Sequence, residues 1–307
     1  MKIKIKIKII LLIIILFTTL VKAQQDAQYT QYMYNMSVIN PAYAGSFGTL
    51  SINMLGRSQW VGISGAPRTL TLSINSPVGK NVGLGLSVIA DEIGPLQEQN
   101  VYGDFSYTLK VGEKANLALG LKAGFTFLNF NNLNYNSTEP TSNNQNPNKV
   151  SPNFGMGTFY YTDKFYAGMS IPNLLQTSYF KKNKEEEKGA KKNRHFFLTS
   201  GYIFELSRNV KLKPSIMAKI VQGGAPVSVD FSGNVLVFNM LEFGLSYRLK
   251  ESISALINVR TSRNLRVGYA YDHTLTGLGE FSSGSHEVFV LFNFDLERSK
   301  IRSPRYF

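Results

Sequence analysis

Residues 115–127 read Ala-Asn-Leu-Ala-Leu-Gly-Leu-Lys-Ala-Gly-Phe-Thr-Phe. Leu117, Leu119, Leu121, Ala123, Phe125 and Phe127 fall on one parity, and Asn116, Gly120, Lys122, Gly124 and Thr126 on the other. Successive side chains of a β-strand point to opposite faces, so the stretch has one apolar face and one small or polar face. About 9–11 tilted residues are enough to cross a bilayer as a strand. The pattern recurs. Leu70, Leu72 and Ile74 oppose Thr69, Thr71, Ser73 and Asn75, while Val288, Val290, Phe292 and Phe294 oppose Glu287 and Asn293. Alternation predicts fourteen strands, at 49–57, 68–75, 82–91, 97–109, 115–127, 152–161, 164–171, 195–204, 209–220, 226–237, 240–249, 252–260, 264–272 and 285–296.

A soluble sandwich or a lipocalin-like barrel alternates too, but its polar face meets bulk water and is richer in Lys and Glu. Here the second faces hold Gly, Ser, Thr and Asn. An outer-membrane barrel turns its apolar face to lipid and its polar face to a wet lumen. With residue 49 starting upward, the turns at 76–81, 110–114, 161–164, 205–209, 238–239 and 261–264 are short and share one side. The connections at 58–67, 128–151, 172–194 and 273–284 are long and share the other, with a short exception near 250–251. The expected fold is therefore all-β, a transmembrane antiparallel β-barrel of the outer-membrane type with about 14 strands. Arginine at Leu72, Leu119 or Val290 is then expected to destabilise more than arginine at Thr71, Asn116 or Asn293, which would face water.

The 307 residues hold 33 Lys+Arg against 20 Asp+Glu, and only 17% are charged. There is no cysteine, which excludes disulfides, thiol nucleophiles and Cys-based metal sites. Lys2, Lys4, Lys6 and Lys8, the apolar run that follows, and Val21-Lys22-Ala23 form a signal-peptide pattern with cleavage between Ala23 and Gln24. An uncleaved anchor is the alternative, but the uncharged run at 9–21 is short for a spanning helix. The expected organisation is a signal peptide at 1–23, a lumen or periplasmic segment at 24–48, the barrel at 49–297 and a basic periplasmic tail at 298–307. Both termini are then periplasmic.

Nothing points to catalysis or a cofactor. His195, His273 and His286 lack metal spacing and are read as polar residues at strand ends. Gly83-x-Gly85 and Gly155-x-Gly157 lie in strands with no helix after them, so they are not phosphate loops. Nucleic acid is disfavoured, because the positive charge is dispersed and the compartment is wrong. Inward-facing Lys122, Lys211, Lys213, Lys219, Arg248, Arg260 and Arg266 outnumber Asp230, Glu242 and Asp272, a basic wall that favours anions if the lumen conducts. Loop 129–148 is Asn-rich. Loop 181–194 is mostly basic, either a solvated tip or a contact for a docking partner or lipopolysaccharide phosphate.

The segment before the first strand is distinctive. It is amide- and Tyr-rich, has no period of its own, and must pack in the lumen, under the barrel or on a partner. It contains Gln31-Tyr-Met-Tyr-Asn35 and Ile39-Asn-Pro-Ala-Tyr-Ala-Gly-Ser46, followed by Arg57-Ser-Gln-Trp60 and Gly62-Ile-Ser-Gly65-Ala-Pro67. Trp60 is either an interfacial belt residue or a contact anchor. These motifs resemble the N-terminal signature of the PorP/SprF family of the type IX secretion system. Further matches are Gly83-Leu-Gly-Leu-Ser87, Gly94-Pro95, the stretch from Tyr166 to Leu174, and Ser285-His-Glu-Val. The resemblance spans the mature chain and is closer to the SprF-like branch.

The resemblance implies an outer-membrane barrel without known enzymatic activity. It implies a secreted adhesin with a type B C-terminal domain as partner, in the setting of gliding motility. The alternatives are a core component coupled to periplasmic type IX machinery, and a passive channel. The residues expected to meet a partner are Gln59, Trp60, Gly62, Gly65 and Pro67 of the first outer loop, with unpaired backbone groups open to strand addition. Tyr29, Tyr32, Asn40 and Tyr43 are expected to line or plug the lumen beneath them.

Overall fold

The alternating stretches pair into a closed wall. In the computed structural model, residues 27–130, 149–175, 193–223 and 226–294 are described. The signal peptide with its Ala23–Gln24 cleavage site, residues 24–26, most of loops 129–148 and 181–194, and the basic tail lie outside them. The strands are β1 (Leu50–Ser58), β2 (Arg68–Pro77), β3 (Val82–Ile93), β4 (Leu96–Lys110) and β5 (Asn116–Phe130). They continue with β6 (Lys149–Tyr161), β7 (Phe165–Ile171), β8 (His195–Tyr202), β9 (Phe204–Glu205) and β10 (Val210–Val221). The last are β11 (Ser228–Val237), β12 (Leu241–Arg248), β13 (Ser252–Arg260), β14 (Leu265–Thr274) and β15 (Ser285–Phe294). The two residues of β9 extend β8 past Ile203 along β10, so the fifteen segments form fourteen staves.

Chain neighbours pair antiparallel throughout, and β15 closes on β1 from Leu50↔Phe294 to Ser58↔His286. Closure leaves no edge, the condition for a sheet to cross hydrocarbon. The turns at 78–81, 111–115, 162–164, 206–209, 238–240 and 261–264 share one rim, as expected. Connections 59–67, 131–148, 172–194 and 275–284 share the other; the tight Gly94-Pro95 turn joins 249–251 as an exception there.

The apolar parity faces outward. Leu70, Leu119, Leu121, Phe125, Phe231 and Leu245 are exposed, forming the surface that lipid would cover. Thr71, Ser73, Ser106 and Asn234 face inward and are buried. This inner face is packed against protein, one of the placements the sequence left open for the amide- and Tyr-rich segment. The segment before β1 fills the lumen.

Ala27 and Gln28 lie at the long-loop rim, where Arg248, at the outer end of β12, donates to the Gln28 amide oxygen at 2.6 Å. The chain then descends through a 3-10 turn (Tyr32–Tyr34), one helical turn (Met36–Ile39) and a second 3-10 turn (Pro41–Tyr43). At the short-turn rim Gly45 and Gly48, both at φ +73°, bend it into β1. That left-handed backbone is what glycine supplies without steric cost. The start of β1 and the end of β15 lie at the short-turn rim, whereas the segment ahead of β1 begins at the opposite rim.

Two outcomes test this arrangement. Leu119→Arg should destabilise by about 2–4 kcal/mol if it lies near the membrane midplane. Thr71→Arg should cost at least as much, because Thr71 is fully buried and bonded to Asn35, not facing water. Denaturant titration of the protein refolded in lipid measures both. For direction, single cysteines at Ser142, Lys188 and Gln28 should react with an impermeant maleimide on intact cells, and one at Asp163 should not. The reverse pattern would invert the barrel.

Candidate functional site: a plugged lumen and its outer vestibule

The plug, residues 29–49, is held first by shape. Tyr32, Met33, Tyr34, Met36, Val38, Ile39 and Tyr43 join Leu55, Phe159, Tyr166, Phe197, Met217 and Phe289 of the wall in one apolar cluster. Tyr34 stacks on Phe289 with ring centroids 4.6 Å apart, and Tyr43 meets Phe159 edge-on at 5.2 Å. Wall glycines seat the lower half. A methyl group at Gly83 would collide with the Ala44 carbonyl, at Gly120 with the Ala42 backbone, and at Gly157 with the Asn40 amide. The close backbone approach explains the glycine-rich inward parity of these strands.

Polar contacts then fix the register. The Asn35 and Ser37 side chains donate to the hydroxyls of Thr71 and Ser73, at 3.2 and 3.0 Å. Ser170 donates to the Ile39 carbonyl at 2.7 Å, and Asn40 donates to the Thr158 carbonyl at 3.0 Å. Two ionic centres grip the upper and lower plug. In the upper one, Glu287 accepts the backbone N–H groups of Thr30 and Gln31 at 2.9 and 2.7 Å. Arg57, the register partner of Glu287 across the β1–β15 seam, pairs with Glu287 at 3.1 Å and with Asp272 at 2.6 Å. In the lower one, Glu242 pairs with Lys213 at 2.8 Å and Arg266 at 2.9 Å while accepting the Tyr34 hydroxyl.

The basic wall is therefore compensated. Lys122 pairs with Asp104 at 2.7 Å, and Arg248 pairs with Asp230 at 2.6 Å. Lys219 is buried, and Lys211 and Arg260 are half-buried towards the short-turn end. Among the described residues, six buried Lys or Arg (Arg57, Lys122, Lys213, Lys219, Arg248, Arg266) face six buried carboxylates (Glu98, Asp104, Asp230, Glu242, Asp272, Glu287). Among the described residues, the fully buried charges of the two signs are thus equal in number, with Lys211 and Arg260 in addition at the short-turn end. Parity placed Glu287 inward, but no sequence signal marked Arg57, Asp104 or Glu287 as functional. His195, expected at a polar rim, is also buried, with its ring 6.4 Å from Phe197.

Above the plug lies a vestibule of about 340 Å³, lined by Gln28, Arg57, Gln59, Trp60, Pro67, Asp91, Arg248, Glu251, Asp272 and Leu278, among others. A smaller apolar lobe of about 70 Å³, walled by Tyr29, Val38, Ile39, Ile93 and Phe197, opens beside it. Of the residues expected to meet a partner, Gln59, Trp60, Pro67 and Tyr29 line this space. Gly62 and Gly65 belong to the same loop without lining it. Tyr32, Asn40 and Tyr43 are buried in the plug, out of a guest's reach.

Much of the loop backbone is already paired. Gln59 N–H donates to the Pro67 carbonyl, Val61 N–H to Gly284, and Ser283 N–H to Val61. A strand added here would have to displace these bonds. Trp60 sits at φ +44°, a strained value for a side-chain-bearing residue, and its N–H donates to Ser285 Oγ at 3.1 Å. Trp60 is among the residues that line the vestibule.

Residues 21–292 match the family described as type IX secretion system membrane protein PorP/SprF. The chain belongs to that family. No curated protein matches this PorP/SprF member in sequence. In fold it is similar to the P. putida toluene transporter TodX, at 10% identity, 85% of this chain and 94% of that chain covered, and a TM-score of 0.51. The outer-membrane protein Omp33 of Acinetobacter baumannii aligns at 9% identity over 80% of this chain and 99% of its own, TM-score 0.46. The CymD monoaromatic hydrocarbon channel aligns at 12% over 85% and 93%, TM-score 0.48. At such identities the likeness is one of fold. The PorP/SprF member is an outer-membrane barrel.

Glu287→Ala should cost about 1–3 kcal/mol for each of the two buried plug N–H groups it leaves unpaired, while Arg57 keeps Asp272 as its partner. The expected readout is a lower denaturation midpoint together with faster protease cleavage near Thr30 in the still-folded barrel. An unchanged midpoint would show that the plug is not held there.

Proposed function

We propose that this PorP/SprF barrel is a non-enzymatic receptor at the cell surface. It binds a type IX-exported adhesin with a type B C-terminal domain, and anchors it or helps its export in support of gliding motility. The observation that carries this reading is the closed lumen beneath a concave, Trp-bearing outer vestibule. A passive channel needs a continuous wet path, and the plug packs against the wall along its length. A cavity closed below and flanked by long loops suits capture of a partner arriving from outside. Trp60 and Leu278 offer apolar contact area, with Gln28, Gln59 and Ser285 as polar neighbours.

A core role coupled to the periplasmic ring is the second reading. It draws on the opposite rim, where Lys80, Lys114, Arg208 and Arg263 are exposed on short turns.

Trp60→Ala combined with Leu278→Arg should leave barrel abundance and heat-modifiability unchanged. It should lower adhesin detected by antibody on intact cells at least several-fold, since anchor residues typically contribute about 2 kcal/mol or more. Mild-detergent purification of the tagged protein should recover the adhesin from wild type and not from the variant. Normal display, with a periplasmic ring protein as the co-purifying species, would move the function to the inner rim.

A further inference from the structure

The buried charges of the lumen balance, but those of the whole barrel do not. The described residues hold 18 Lys or Arg and 13 Asp or Glu. Ten of the cations and four of the acids lie on the six short turns or within four residues of them, a net of 10 − 4 = +6. The rest of the described wall and its plug sum to 8 − 9 = −1. The remaining residues from Gln24 onward do not reverse the difference. Residues 24–26, 131–148 and 176–192 hold six cations and five acids, and residues 295–307 hold four and two. At the short-turn end Glu242 is taken by Lys213 and Arg266, and Glu205 by Lys164 at 3.3 Å. Lys80, Lys110, Lys114, Arg208 and Arg263 are exposed and form no ion pair among the described residues. With Lys164 they occupy five of the six short turns, all round the barrel; among these turns 238–240 alone lacks a cation.

A second observation fixes what lies beside them. Outward-facing Tyr160, Phe165, Tyr202 and Phe204 form a row of rings across β6 to β9, with successive centroids 6.1, 6.5 and 4.6 Å apart. Each lies within four residues of a short turn. The aromatic girdles of outer-membrane barrels sit where hydrocarbon gives way to headgroups. The row therefore sets the turns themselves at headgroup depth. Their composition matches that depth. Val78 stands two residues from Lys80, Val111 beside Lys110, and Leu206 two residues from Arg208, all three exposed. An apolar group at this level rests on acyl chains, while a long cationic side chain reaches the phosphates. The turn without a cation presents exposed Phe238 and Met240 instead.

We propose that the short-turn rim is a docking collar for the phosphate groups of anionic glycerophospholipids in the leaflet it adjoins. The five free cations supply the charge, and the row of rings with the apolar turn residues supplies the surface for the first acyl methylenes. A leaflet surrounds the barrel, as these cations do, whereas a folded protein would meet one arc of the rim or its mouth. Short turns are periplasmic in outer-membrane barrels, on the side whose leaflet is glycerophospholipid. Ammonium and guanidinium groups pair with phosphate whatever the acyl chain, so the collar selects by headgroup charge. The core role described above gives the same side chains to a periplasmic protein, and the experiment separates the two.

The tagged full-length protein is exchanged into mild-detergent micelles holding equal amounts of phosphatidylglycerol and phosphatidylcholine with the same acyl chains. It is then repurified, and the retained lipids are counted by mass spectrometry. Wild type should retain phosphatidylglycerol over phosphatidylcholine by about tenfold, since each cation near an anionic surface contributes about five-fold. Raising the salt to about 0.5 M before repurification should bring the two lipids towards equal retention, because exposed charges are screened. Lys80→Gln, Lys114→Gln, Arg208→Gln and Arg263→Gln combined should lower the wild-type preference by about five-fold or more, with heat-modifiability unchanged. Arg68→Gln with Lys250→Gln, exposed cations of the opposite rim, should leave the preference as in wild type.

Equal retention of the two lipids by wild type, or an undiminished preference in the four-site variant, would overturn the proposal. An undiminished preference together with loss of a co-purifying periplasmic protein from that variant would hand these cations to the core role. In a parallel competition, stronger retention of lipid A than of phosphatidylglycerol would also overturn the collar, by setting the short turns in the outer leaflet.

Discussion

The inward face of this barrel is polar and small, and that constrains everything else. Serine, threonine, asparagine and charged side chains cannot form a core with one another across a fourteen-stave lumen. They must be hydrated, or be given partners by something that enters. Residues 29–49 are what enters. They bring tyrosines and methionines to the apolar wall residues, and amides, hydroxyls and backbone N–H groups to the polar ones. The result is a β-protein with its sheet inside out: hydrocarbon-facing leucines outside, and a mixed, hydrogen-bonded core within.

The ionic centres act on placement more than on net stability. Burying a charge pair roughly cancels its own attraction, while removing one member leaves an uncompensated charge. Glu287 holds three donors, two of them plug N–H groups, and Glu242 holds four, one of them the plug's Tyr34 hydroxyl, so a plug shifted by one residue would leave several buried groups unpaired together. The glycines at 83, 120 and 157 impose the same register by sterics, since the plug approaches the strands only where a side chain is missing. Charge and shape thus select one seating of a segment that has no intrinsic periodicity.

The strands were legible because period-two alternation is a local property. Observed ends fall within about three residues of those read from parity; β6, for instance, starts at Lys149 rather than 152. The sidedness of the loops was legible for the same reason. The filled lumen was legible only as one of three placements for the segment before β1, and its contacts were not. The partners of Thr30 and Gln31 lie more than 250 positions away, and no local pattern in an amide- and Tyr-rich stretch names them. Parity reported which charges point inward but not their pairing. Counting the cations of the wall without Asp104, Glu98 and Glu287 therefore overstated the positive excess, and the fully buried charges among the described residues balance. The inward glycines were noticed only for what they excluded, although a face stripped of side chains is itself a sign that backbone lies against it.

The seam between β1 and β15 joins the first strand of the wall to the last, and Arg57 and Glu287 meet directly across it while both reach the plug. The amino-terminal segment is made first, yet its upper anchor exists only once the final strand has arrived. Sealing the cylinder and seating its contents are thus one event, completed from opposite ends of the polypeptide. A nascent or truncated chain lacking β15 would have neither a closed wall nor an upper grip on the plug. High sequence separation of this kind makes folding slow and leaves the open form exposed to other strand edges. Quality control of the finished barrel is in that sense intrinsic, since an unfinished one cannot hold its own beginning.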